Sequence, residues 1–288
     1  MRRSQGLTAA ALLAPATIFV AAGLLAPLAI LFRYSLNEFV ARTKTMVEAL
    51  TVQNYVTFFT DPYYTLALGT TIKVAMIVTV ACLVFGFPLA YVVARTQSRF
   101  KHLLIIAIVL PLFVGNSVRA AGWMVVFGNK GFFNTTMMSL GLIDTPIEIM
   151  FTEKAVIIGI IAVNLPFMVL SLQSVIESID RAVEEAAFSL GAPPITMFRR
   201  VLWPLALPGT LAGTILCFIL AMNAYATPFL LGGPLFKMMA PVIYNEFTQK
   251  TNWPFGAAIA FILMAVTLSL TIAANLLLRR RDGRVKAT

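Results

Sequence analysis

The sequence predicts an all-α integral membrane protein with six transmembrane helices. Three observations carry that expectation. Only 12% of the 288 residues are charged while 59% are hydrophobic, and mean hydropathy is +0.88. A soluble domain carries about 25% charged residues, so this chain has too little polar surface to coat a globule. Apolar stretches long enough to span a bilayer, about 20 residues, recur along the chain. Finally, the basic residues gather at the ends of those stretches. The net charge of +10 therefore reads as membrane topology. A nucleic-acid footprint would need a basic patch on a soluble face.

The spans are expected at 7–32, 66–94, 103–127, 156–176, 201–231 and 255–278, as one transmembrane domain over 1–288 with its core at 66–278. The first run is too long for a signal-peptide core of about 7–15 residues and has no clear cleavage site, so it reads as a retained span. Pro111 and Gly115 interrupt the third span, and Pro204 and Pro208 open the fifth. Such breaks are tolerated where neighbouring helices satisfy the freed carbonyls. Orientation follows the basic residues. Arg2, Arg3, Arg95, Arg99, Lys101, Arg181, Arg199, Arg200, Arg279, Arg280, Arg281, Arg284 and Lys286 fall on one side. They outnumber the basic residues of the other loops and place both termini in the cytoplasm. The outer stretch 54–64 mixes aromatic and polar residues, as an interfacial helix does.

One loop, 178–200, stands out as polar and lies on the cytoplasmic side in this orientation. Asp180, Glu184 and Glu185 sit early in a short helix, where carboxylates complement the dipole. Ala182, Ala186, Ser189 and Leu190 give that helix a low-relief face. Gly191 suits a left-handed terminator, and Pro193 or Pro194 opens a second helix. The expectation is a helix–turn–helix along the membrane surface. An ordinary capped interfacial loop is the alternative.

Glu185-Ala186-Ala187, Gly191 and Val201-Leu202-Trp203-Pro204 resemble the EAA motif of ABC-importer permeases, E-A-A-x3-G-x9-I-x-L-P. The spacing is kept; Val201 replaces the usual Ile and Trp203 the usual Leu. Gly69 to Arg95, Asn116 to Asn134, Ala226 to Phe247 and Asn252 to Phe261 resemble spermidine/putrescine permeases of the B/H type. That resemblance implies a polyamine-like solute; permeases for opines, ferric iron and phosphonates look alike in these stretches and stand as the alternatives.

The resemblance implies a type I importer permease fold. It implies a second related permease subunit, two cytoplasmic ATPase subunits and a periplasmic solute-binding protein as partners. Glu184, Glu185, Ala186, Ala187, Gly191 and Ala192 would form the surface that couples to the ATPase. ATP and magnesium would bind that partner, leaving this chain with no cofactor and no catalytic residue of its own. Transport would proceed by ATP-driven alternating access.

Several residues bear on what passes through. Arg119 lies within a span, where an ionised side chain is costly unless paired or wetted and is a functional candidate; snorkelling at the outer boundary is its structural alternative. Asn116, Trp123, Asn223, Tyr225 and Thr227 join it as candidate path residues, each also ordinary packing material. Lys73 reads as an anchor. No carboxylate lies deep in a span, Glu246 being the nearest in the last outer loop. That argues for selectivity in a separate binding protein rather than a tight cation site here.

Other classes lack their chemistry. Cys82 and Cys217 sit in apolar runs and the single histidine, His102, lies at a membrane edge, so no metal site is expected. No P-loop sequence is present. An ion-coupled secondary transporter, the main rival, needs charged or broken-helix ion sites near the midplane. A membrane-embedded enzyme needs clustered catalytic groups.

Overall fold

Lipid offers the backbone no hydrogen-bond partner, so an apolar run must close its own ladder and becomes helix. The computed structural model describes residues 2–285, with side chains over 13–276. The basic side chains at the two ends, on which the expected orientation leans, lie outside the described residues. The chain runs α1 (Arg2–Ser35), β1 (Glu38–Val40), β2 (Thr45–Val47), α2 (Gln53–Thr60), α3 (Pro62–Arg95) and α4 (Lys101–Val109). A 3-10 turn (Leu110–Phe113) precedes α5 (Asn116–Phe127), α6 (Phe132–Ser139), α7 (Glu153–Ser178), α8 (Arg181–Ser189) and α9 (Pro194–Met197). A π-helical turn (Phe198–Leu202) then leads to α10 (Trp203–Met222), α11 (Ala226–Leu231), α12 (Met239–Thr248) and α13 (Trp253–Val285). Among the described residues, five helices are long and apolar enough to cross a membrane, or six if the bent pair 101–113 and 116–139 counts as one span.

The contacts divide the chain into two units. The first comprises Met1–Thr65 and Ile243–Met264. Here α1 ends in a polar knot. Arg33 donates to Asn37 Oδ1 and to the Ala49 carbonyl, the latter at 2.9 Å. Asn54 Nδ2 donates to the carbonyls of Ser35 and Asn37, both at 2.8 Å. These bonds close the short antiparallel hairpin of β1 and β2 against the start of α2. The stretch expected as one interfacial helix splits at Asp61. Its carboxylate accepts from the Tyr63 amide at 2.9 Å, and Pro62, which has no amide to lose, opens α3. Glu246 is buried, accepting from Tyr64 Oη at 3.0 Å and from Lys250 Nζ at 2.7 Å.

The second unit comprises Leu66–Val242 and Ala265–Thr288. Its centre is α7 packed along α10. Small residues allow that approach, as they do between membrane helices generally. A Cβ on Gly209 would stand 2.7 Å from Val175 Cγ2, and one on Gly213 2.7 Å from Met168 Sδ. Asn164, buried on α7, donates to the Cys217 carbonyl at 3.1 Å. Cys82 and Cys217 are both free and buried.

Two expected spans take a different course. The third, placed at 103–127, is not one rod: the axis turns by 99° between 101–113 and 116–139. Pro111 removes a ladder hydrogen bond, and Gly115 is extended (φ −56°, ψ 144°), which ends the helical path and starts α5 afresh. The fifth, placed at 201–231, ends at Met222. Asn223 caps α10, and the chain restarts at Ala226 as the separate helix α11.

Candidate functional site

The loop at 178–200 forms a capped helix–turn–helix. Asp180 is the N-cap of α8, its carboxylate accepting from the Ala182 amide at 3.0 Å. The helix ends in a Schellman motif. The Ala192 amide reaches the Ala187 carbonyl at 3.1 Å and the Gly191 amide the Phe188 carbonyl at 2.9 Å. Gly191 has φ +78°, a conformation that a side chain makes costly. Pro193 and Pro194 then open α9.

Adjacent carboxylates on α8 point to opposite sides. Glu184 is buried and Glu185 exposed. Glu184 accepts from Arg95 Nε at 2.8 Å through one oxygen and from Tyr91 Oη at 2.9 Å through the other. Arg95 also donates to the Ile179 carbonyl at 3.0 Å, and Arg181 donates to the Arg95 carbonyl at 2.6 Å. The end of α3 and the start of α8 are thus tied from both sides. A half-made network of this kind is expensive, so all its members hold α8 in one seat. Ala187 is buried beside it, whereas Ala186, Leu190 and Gly191 are exposed and Ala192 is half-buried. Leu190 is 89% exposed. Of the six residues that the resemblance assigns to coupling, Glu184 and Ala187 therefore face inward, while Glu185, Ala186 and Gly191 face out. Trp203, one of the two departures from the motif, lies 5.6 Å from the ring of Phe87 and 6.0 Å from that of Phe198. The indole fills an aromatic cluster at the foot of α10.

A second feature lies where α5, α7 and the α10–α11 junction meet. A cavity of about 560 Å³ is lined by Asn116, Arg119, Asn223, Tyr225 and Thr227, together with Ser117, Asn164 and apolar side chains. Five of the six path candidates come together here, because the breaks at Gly115 and Asn223 turn polar residues toward one space. Trp123 does not join them; its ring stacks on Phe127 at 4.8 Å. Arg119 donates from Nη2 to Asn116 Oδ1 at 2.7 Å, while its buried Nε and Nη1 have no partner among the described residues. No carboxylate lines the cavity. Lys73, read as an anchor, pairs with Glu153 at 2.7 Å on the exposed surface. Tyr91, Arg95 and Asn164 escape sequence reading, because their partners lie far along the chain.

Apolar helices of this number define a multi-pass membrane protein, and the second unit adds a capped helical loop and a polar cavity. The chain belongs to the family of binding-protein-dependent transport system inner membrane components, whose family model matches residues 76–283. It is 37% identical over 235 residues to the spermidine/putrescine transport system permease protein PotB of Haemophilus influenzae, covering 81% of this chain and 82% of that one. PotB of Escherichia coli K12 is also 37% identical over 235 residues, covering 82% and 83%. The probable sulfate transport system permease protein cysT of Nephroselmis olivacea is 30% identical over 226 residues, 78% of each chain. The fold is similar to that in the crystal structure of a bacterial ABC transporter involved in import of the acidic polysaccharide alginate. There the TM-score is 0.76 at 19% identity, over 97% of this chain and 99% of that one. This is a permease of the binding-protein-dependent ABC importer type, and a multi-pass inner-membrane protein.

Proposed function

We propose that the chain is one permease subunit of an importer for a polyamine-like solute, working with a second related permease, two ATPase subunits and a periplasmic binding protein. Both termini and the 178–200 loop face the cytoplasm in this reading. ATP and magnesium belong to the ATPase partner. The single observation that carries the coupling role is the split of the paired carboxylates: Glu184 is locked to Arg95 and Tyr91, while Glu185, Ala186, Leu190 and Gly191 are left outward. A partner pressing on that outward face acts on α3 through a fixed joint. Nucleotide state in the ATPase and access state in the permease then bias each other, as linkage requires.

The solute rests on a separate argument. PotB relatives match more than four-fifths of the chain, and the cavity walls offer amides and a tyrosine without a tight ionic site. A solute delivered by a binding protein needs a passage that releases it, not one that retains it. A second reading, an anionic solute, is favoured by one observation: Arg119 is the charged residue of a cavity lined by no carboxylate. Uptake of radiolabelled spermidine and of sulfate by the source bacterium, with and without this chain, separates them. Loss of spermidine uptake alone supports the polyamine reading. Loss of sulfate uptake alone overturns it.

A further inference from the structure

An apolar groove of about 530 Å³ lies between the last turns of α3 and the coupling loop. Phe87 and Pro88 form one wall; Phe188, Pro194, Met197 and Trp203 form the other. Val84 at its mouth is exposed, so the groove opens outward. The one hydroxyl on its lining, Tyr91, is already donated to Glu184. An extended peptide laid here would leave its amides and carbonyls unpaired, at a cost. A chain of methylenes would not.

Immediately beside the groove, the π-helical turn carries Arg199 and Arg200 between Phe198 and Leu202, which line it. Single π turns often mark functional positions. Both arginines are exposed. The other cations of this region are committed: Arg95 to Glu184, Arg181 to the Arg95 carbonyl, Lys101 to Glu177, and Arg99 over the Phe100 ring. Arg199 and Arg200 have no ion pair among the described residues. Two uncommitted cations at the rim of a largely apolar groove, at the end of membrane helices, match one chemistry: an anion carried on a hydrocarbon tail.

We propose that this groove holds one anionic phospholipid, with its acyl chain along Val84, Pro88 and Phe188 beside the Phe87–Trp203 contact and its phosphate on Arg199 and Arg200. The proposal rests on placing this end of the helices at the inner leaflet. Because α3 supplies one wall and the coupling loop with the foot of α10 the other, a bound lipid contacts both at once. The access state that keeps the groove open is the one it favours.

The test is photolabelling of the intact importer complex in phosphatidylcholine nanodiscs. The probe is phosphatidylglycerol or phosphatidylcholine bearing a photoactivatable acyl chain, and labelled peptides are mapped by mass spectrometry. The expected result is labelling of the Phe87, Met197 or Trp203 peptide by the phosphatidylglycerol probe, severalfold above the phosphatidylcholine probe. Each basic residue near an anionic surface contributes about fivefold, so Arg199→Gln with Arg200→Gln should lower that labelling by more than tenfold. Val84→Trp, which blocks the mouth, should abolish it. Labelling of lipid-facing α1 should not change in either variant. Equal labelling by both probes, or retention of the label in the double variant, overturns the proposal. So does a groove labelled in the isolated chain but shielded in the complex, since a partner helix then covers it. The readout needs neither transport nor ATP, so failure of the importer reading leaves it intact and measurable on the chain alone.

Discussion

Arg95 and Glu184 lie 89 positions apart, yet the guanidinium Nε of one donates to the carboxylate of the other at 2.8 Å. Both side chains are largely withdrawn from solvent, at 13% and 8% exposure. The last residue of a long span is thereby bonded to the inner face of the loop helix. A push on α8 reaches α3 without passing through flexible chain.

Glu184→Ala should leave Arg95 with its carboxylate partner gone. Removing one member of a buried pair costs about 3 kcal/mol, here felt as loss of the seat of α8 more than as global unfolding. Limited proteolysis of the purified protein should show faster cleavage within 180–200, with α7 and α10 unaffected. Cleavage at the unaltered rate would mean that the pair does not hold the loop.

Glu185→Lys should behave in the opposite way. The side chain is exposed and unbonded within the subunit, so membrane accumulation and thermal unfolding should match the native protein while uptake is lost. Gly191→Ala should cost about 1 kcal/mol, because φ +78° is strained for a residue with a Cβ. It should therefore reduce uptake only in part. Normal uptake by Glu185→Lys removes the coupling role from this face.

Much of this was legible from residue order, and the rest has physical reasons for being hidden. Asp180, Gly191 and the Pro193–Pro194 pair specify the helix–turn–helix locally, because caps and terminators act within a few residues. Which of two adjacent carboxylates turns inward is not local; it depends on Tyr91 and Arg95 from another helix. Pro111 with Gly115 announced an irregular third span, but proline alone does not fix a 99° turn. The fifth span reads longer in the sequence than in the structure because polar residues are sparse across 201–231, and averaged hydropathy does not register the stop at Asn223. That same stop, with the one at Gly115, collects Asn116, Arg119, Asn223, Tyr225 and Thr227 around one cavity. Trp123 fell outside it because its ring prefers Phe127.

Arg119→Ala should lower uptake by about tenfold, corresponding to roughly 1.4 kcal/mol, with membrane accumulation within about twofold of native by the same measure. Arg119→Lys should restore part of it. Immunoblotting of membranes alongside uptake separates the two effects; loss of accumulation in both variants would assign Arg119 to folding.

Gly209→Val should impair assembly. Its first added carbon already meets Val175 at 2.7 Å and the Ser171 carbonyl at 3.1 Å. Overpacking costs about 1–3 kcal/mol, so the protein should elute as aggregate in detergent chromatography. A monodisperse native-like profile would show that α7 and α10 have room to part.

Lys250 provides a pH-dependent contribution. Burial pulls its ammonium down, but the hydrogen bond and charge of Glu246 outweigh that and raise it above the usual lysine value of 10.5. Its stabilising effect is therefore complete below pH 10.5 and is lost as pH rises through the raised value. Native protein and Lys250→Met should differ in thermal unfolding at pH 8, and the difference should vanish once the pH has passed the raised value. A constant difference across that range would assign the effect to packing.

The most direct test of the account is site-specific crosslinking from Ala186, replaced by a photoreactive residue, in the native membrane. One dominant adduct is expected, whose mass spectrum identifies a P-loop ATPase, with loss of that adduct when Glu185→Lys is added. Adducts only with lipid, or with no ATPase among them, would contradict it.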